Sequence, residues 1–122
     1  MRSKDVVGRY GEDLAARYLG EAGLAVLDRN WRCPDGELDI VALEGTVLAF
    51  VEVKTRSTLG YGDPAEAVHA VKAARIHRLA LRWLDEHREC GLPRHLQLRF
   101  DVVSVVRLAP GGPAVRHLRA AF

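Results

Sequence analysis
Apolar residues near the start of the chain recur at helical spacing: Val7, Tyr10, Leu14 and Tyr18, with Ala15 and Leu19 beside them. A 3.6-residue period places such positions on one side of a helix, which predicts a helix from about Asp5 to Glu21 with Gly23 as its C-terminal cap. The pattern then shortens. Leu24 to Asn30 is a mostly apolar run leading to Trp31, and Pro34-Asp35-Gly36 is a turn signal, so a strand, a turn and a second strand over Glu37 to Leu43 are expected. After Glu44-Gly45-Thr46 comes the β-branched run Val47 to Lys54, which completes a hairpin.

Thr55 to Gly62 is polar and glycine-containing and reads as a mobile loop. Asp63 as N-cap, Pro64 at the first helical position and Glu66 three residues after the cap predict a second helix, with a break near His69, reaching about Arg88. Gly91 and Pro93 stop it. Leu96, Leu98, Phe100 and Val102 alternate with Gln97, Arg99 and Asp101 in a late strand. Ala109-Pro110-Gly111-Gly112-Pro113 is a turn before a short strand or tail. The order helix, three strands, helix, strand predicts an α/β domain with a central mixed sheet flanked by helices.

Side-chain alternation decides which polar residues can meet. Glu52 and Lys54 project from one face of their strand, Val51 and Val53 from the other. A hairpin loop with an even number of residues pairs positions whose numbers sum to an odd value, and that places Asp39 on the face of Glu52, adjacent or diagonal to it. Three ionisable groups then share a patch otherwise built of Val, Ile, Leu and Phe. Two carboxylates so close repel, and a bound divalent cation keeps both ionised. Magnesium suits them, because it takes oxygen ligands from one or two carboxylates plus waters and phosphate. The ammonium of Lys54 would face an attacking water or the phosphate, as phosphodiester hydrolysis requires. Glu12 lies with Ala15 and Leu19 at the edge of the first helix's apolar stripe and is expected to look toward the sheet. A Glu-x-Lys pair taken alone is more often an exposed ion pair, worth under about 1 kcal/mol, than a catalytic centre.

Composition narrows the class. At 122 residues, 48% hydrophobic and 28% charged, the chain suits one soluble globular domain over its whole length. It has no 18-residue apolar run, and its polar start predicts a cytoplasmic protein without a membrane partner. Cys33 and Cys90 are far apart without CxxC spacing and read as reduced thiols, and the histidines at 69, 77, 87, 95 and 117 show no metal spacing. Net charge is only +2, yet Lys72, Arg75, Arg78 and Arg82 form a basic ridge at helical spacing. Lys72 and Arg75 on that ridge, and Arg56 and Ser57 after the third strand, are candidate DNA contacts. Trp31 is read as core, and Asp101 as the partner of an arginine.

Asp39 followed by Glu52-Val53-Lys54 resembles the D…ExK signature of the restriction-endonuclease-like nuclease superfamily, with a preceding helical Glu12 as in archaeal Holliday-junction resolvases. Gly8 to Ala16, Asn30-Trp31-Arg32-Cys33, Gly36 to Val41, Phe50 to Arg56, Pro64 to Val68 and Arg99 to Val103 together resemble the YraN-like family of small bacterial proteins, described as uncharacterised or as candidate endonucleases. The resemblance implies a restriction-endonuclease-like core and a Mg²⁺- or Mn²⁺-dependent DNA endonuclease acting on branched DNA such as Holliday junctions, as a homodimer. It implies that Asp39, Glu52 and the Val53 carbonyl ligate the metal, that Lys54 positions or polarises the water, and that Glu12 completes the site or serves a second ion. The superfamily's proline before the first Asp is replaced by Leu38. The competing readings are a nucleic-acid-binding module that keeps the fold without cutting, and an interaction domain whose acidic cluster is structural.

Overall fold
Side-chain size explains how the first helix sits. A computed structural model describes residues 4–58 and 68–122, and in it helix α1 (Lys4–Glu21) buries Gly11, Glu12, Ala15 and Leu19. Three of these lie four apart, which stacks them on one face. Val7, Tyr10 and Tyr18, on the same periodic stripe, form a rim that is 37–39% exposed. The reason is close approach. A Cβ on Gly11 would lie 1.8 Å from Oγ1 and 2.8 Å from Cβ of Thr55, so the small-residue face lets the helix settle on the sheet and turns the tyrosines outward. Gly11→Ala is therefore expected to destabilise the fold by about 1–3 kcal/mol in urea denaturation. Thr55→Gly in the same chain should recover much of that loss; no recovery would mean that the contact is not the cause.

The strands are β1 (Ala25–Cys33), β2 (Gly36–Glu44), β3 (Val47–Arg56), β4 (Gln97–Val106) and β5 (Ala114–Leu118), in the sheet order β1-β2-β3-β4-β5. β1–β2, β2–β3 and β4–β5 are antiparallel, whereas β3 and β4 run parallel. A parallel pair needs a crossover, and helix α2 (Ala70–Glu86) lies within it. The mixed sheet with two helices is the architecture expected, extended at its edge by β5.

Two boundaries differ from expectation. Thr55 and Arg56, read as loop, belong to β3, because β4 supplies them with the parallel partners Val105 and Val106. The α2 helix begins at Ala70 with His69 as N-cap, its Nδ1 accepting from the Lys72 N–H at 3.3 Å. The expected Asp63 cap, Pro64 and Glu66 fall in 59–67, outside the described residues.

Each face of the sheet carries a core. On one side Ala15, Leu19 and Leu24 cover Ile40, Ala42, Ala49, Val51, Val103 and Val105. On the other, Ile76, Leu79, Ala80 and Trp83 of α2 cover Leu38, Val41, Leu48, Phe50 and Val102, with Trp31 packed against them. Phe50 meets Trp83 edge to face at 5.9 Å.

Candidate active site
The hairpin between β2 and β3 sets the geometry. Its loop is the two-residue Gly45-Thr46, with Glu44 opposite Val47 and Gly45 at φ 62°, a value glycine takes without strain. The even loop produces the odd sum: Val41 faces Phe50 and Ile40 faces Val51. One step further, the same register would bring Asp39 opposite Glu52, and the two carboxyls interact electrostatically.

The ladder ends there although both strands continue. The Val53 N–H donates to Asp39 Oδ2 at 2.9 Å, so the carboxylate takes over where backbone pairing stops. Leu38 and Ile40, which strict alternation would put on one face, belong to opposite cores. β2 thus turns away from β3 at Asp39. The space between them is a cleft of about 800 Å³, lined among the described residues by Glu12, Asn30, Asp39, Glu52, Val53, Lys54, Thr55 and Lys72, with Arg9, Arg32 and Glu37 toward its rim.

Burial and the neighbouring Glu52 push the Asp39 carboxyl up to about 8 from an ordinary 3.8, against the opposing hydrogen bond from Val53; Glu12 adds to the rise. Glu52 is paired with a residue from the other side of the sheet: Lys72 Nζ lies 2.9 Å from its Oε1. Lys54 is exposed and lines the same cleft. Glu12, on the buried face of α1, is 7% exposed, and its Oε1 accepts from Asn30 Nδ2 at 2.8 Å and Arg29 Nε at 3.1 Å. Burial raises its pKa against the lowering effect of Arg29.

Asp39, Glu52, Val53, Lys54 and Glu12 therefore converge on one cleft. Of the four residues read as DNA contacts, Lys72 alone reaches it. Lys72 is in the cleft but engaged with Glu52. Arg56 and Ser57 are tied to the turn after β4, their carbonyls accepting from the Arg107 and Leu108 N–H groups at 2.8 Å, and neither lines the cleft. Arg75 borders a separate pocket of about 260 Å³ with Asp35, Arg78 and Arg82. Arg82 in that ridge is paired with Asp35 and Glu86.

Sequence reading did not find Arg29 and Asn30. Asn30 sits inside β1 at φ 53°, a backbone state that asparagine tolerates better than most residues, which aims its amide at Glu12. No sequence signal separates this from an ordinary polar strand position. Asp101 is partnered as expected, by Arg99 at 2.9 Å, and does not line the cleft. Cys33 and Cys90 are free thiols. Among the described residues no helix is long and apolar enough to cross a membrane, and no three His, Cys, Asp or Glu side chains are grouped around one metal position. The carboxylates lining the cleft are the Asp39–Glu52 pair, Glu12 held by Arg29 and Asn30, and Glu37, paired with Arg32.

With this geometry in hand, comparison with known proteins places the chain. A model of "Uncharacterised protein family UPF0102" matches residues 11–105. The chain belongs to this family. It is the YraN family that the sequence resembled. A UPF0102 protein of Beutenbergia cavernae is 55% identical over 119 residues, covering 98% of each chain. A second, from Frankia casuarinae, is 54% identical over 122 residues and covers both chains completely. A UPF0102 protein of Streptomyces griseus is 51% identical over 119 residues. The family description spans the cleft residues from Glu12 to Lys72 and assigns no chemistry to them.

Proposed function
We propose that the cleft is the centre of a metal-dependent DNA endonuclease, hydrolysing phosphodiester bonds. The observation that carries the reading is the proximity of Asp39 and Glu52 in an open cleft, where burial first and then Glu52 push the Asp39 carboxyl up to about 8. Such a pair costs stability in an unliganded protein. The donor set fits a hard divalent cation: two carboxylate groups and the Val53 carbonyl are oxygen ligands, and Mg²⁺ or Mn²⁺ accepts few protein ligands alongside waters and phosphate. When bound, such an ion supplies Lewis acidity and a lowered water pKa.

The chain's own residues do the rest. Asp39 and Glu52 hold the ion, and the Val53 N–H keeps Asp39 oriented. Lys54 extends its ammonium into the cleft from the strand of Glu52 and orients the attacking water against a phosphate oxygen. Glu12 is a structured wall carboxylate, fixed by Arg29 and Asn30, from which a second ion or a water is reached. Branched DNA as the substrate, and a homodimer, are proposed on the resemblance to resolvases.

The test is incubation of the protein with four-way, flapped and linear DNA, with and without Mg²⁺ or Mn²⁺, beside Glu52→Gln. Metal-dependent cleavage absent from the variant is expected. Cleavage equal in both proteins would overturn the mechanism, and DNA binding without cleavage in either metal would replace it with a non-catalytic binding module.

A further inference from the structure
The residue on α2 that reaches the acidic pair has no role in the chemistry above. Lys72 stands in the first turn of α2, where His69 caps the helix through the Lys72 N–H, and its side chain crosses to Glu52. The side chains of the pair are 31% and 14% exposed, so the contact is partly withdrawn from water and faces the cleft. Its ammonium is 2.9 Å from Oε1, the kind of oxygen that a cation would ligate.

We infer that Lys72 is the site's built-in counter-ion: it holds the place of a divalent cation on Glu52, is displaced when the cation binds, and then engages the DNA phosphate. This rests on the nuclease reading and assigns Lys72 a position within it. Two physical points support the exchange. An ammonium and a metal ion cannot share one carboxylate oxygen at close range without repulsion, so cation binding must move Lys72. The lysine stem is long and flexible, with a compact charge that suits a phosphate as well as a carboxylate, so the displaced ammonium finds a partner without moving the helix. Lys54 is a separate group on β3, and among the described residues it forms no ion pair with Glu52. The two lysines thus divide the work, Lys54 at the water and Lys72 between Glu52 and the phosphate.

A counter-ion that must be displaced weakens cation binding to the free protein and strengthens DNA binding to the loaded one. Mn²⁺ affinity is read by electron paramagnetic resonance and calorimetry without DNA, and DNA affinity in Ca²⁺, for the native chain, Lys72→Met, Lys72→Arg and Asp39→Asn. Lys72→Met is expected to bind Mn²⁺ on the order of tenfold more tightly and DNA on the order of tenfold more weakly, with Lys72→Arg near the native protein in both. A merely structural ion pair would not move the two affinities in opposite directions. Mn²⁺ affinity in Lys72→Met equal to or weaker than native, with Asp39→Asn binding none, would overturn the inference and leave the cation site standing. Equal Mn²⁺ binding by native protein and Asp39→Asn, or none by either, would remove the cation site and the inference together.

Discussion

Asp39→Asn is expected to reduce metal-dependent cleavage by about 10³-fold or more and, at the same time, to make the metal-free protein more stable at pH 8. The first effect follows from the proposed mechanism, in which Asp39 would be a ligand contributing several kcal/mol of charge stabilisation in the transition state, about 4 kcal/mol for 10³-fold. The second follows from linkage. Burial first, then Glu52, raises the Asp39 carboxyl in the fold from 3.8 to about 8. Between those values the folded protein keeps a proton that the unfolded chain has released, so native stability falls as pH rises through the window. At about 1.4 kcal/mol per unit, a fully enclosed group would cost about 5–6 kcal/mol by pH 8. Asp39 faces a cleft where water screens the charge, and about 1–3 kcal/mol is expected. Asparagine keeps an oxygen for the Val53 N–H but has no proton to lose, so the difference in stability between variant and native chain should be near zero at pH 4 and grow toward pH 8. Thermal melts across that range measure it. Mg²⁺ should raise the native midpoint at pH 8 and leave the variant unmoved. Parallel pH profiles for the two proteins would show that Asp39 is not the strained group.

The other large effect lies away from the cleft. Asp101→Ala is expected to destabilise the protein by about 3–5 kcal/mol. Asp101 is fully buried and accepts from Arg99 Nε at 2.9 Å and from the Ala120 N–H at 3.0 Å, with His117 Nε2 at 2.8 Å. Arg99 also reaches Glu44, which Arg119 clamps from the C-terminal segment. Removing the carboxylate leaves a partly buried guanidinium and a buried imidazole facing an empty position and frees the hold on the last residues, where the Ala121 N–H donates to Phe100 O at 2.7 Å and Phe122 packs on Phe100. Burial raises the Asp101 pKa, but the hydrogen bonds from His117, Arg99 and Ala120 outweigh it and the net direction is downward. Its stabilisation is therefore present above the ordinary carboxylate value near 3.8 and is lost as pH falls through the depressed one. Urea denaturation at pH 7 should show the full loss, and cleavage per folded molecule should be retained. A loss below about 1 kcal/mol would mean that the network relaxes around the gap.

The strands and helices could be read largely from the chain because their causes are local. Gly45-Thr46 between two apolar runs is sufficient to set a hairpin and its register, and the period-2 alternation of β3 separates Glu52 and Lys54 from Val51 and Val53. From those two facts alone Asp39 falls opposite Glu52. Period locates α1 but does not specify the depth of each residue on it. Val7, Tyr10 and Tyr18 satisfy a helical stripe, but Gly11 against Thr55 decides which edge of the stripe touches the sheet, and that contact joins residues 44 positions apart.

What only the tertiary structure decided has the same character throughout. The parallel pairing of β3 with β4 extends β3 through Thr55 and Arg56, and it spans a crossover whose length and handedness no local pattern encodes. Asn30 and Arg29 reach Glu12 because a positive φ inside β1 re-aims one amide. Lys72, read from the sequence as a DNA contact on a basic ridge, is brought to Glu52 by the packing of α2 on the sheet. Side-chain identity and short-range periodicity determined which residues could carry chemistry. Which of them meet, and with what counter-charge, was settled by packing between elements distant in sequence, where the deciding quantity is a distance of a few ångströms across the fold.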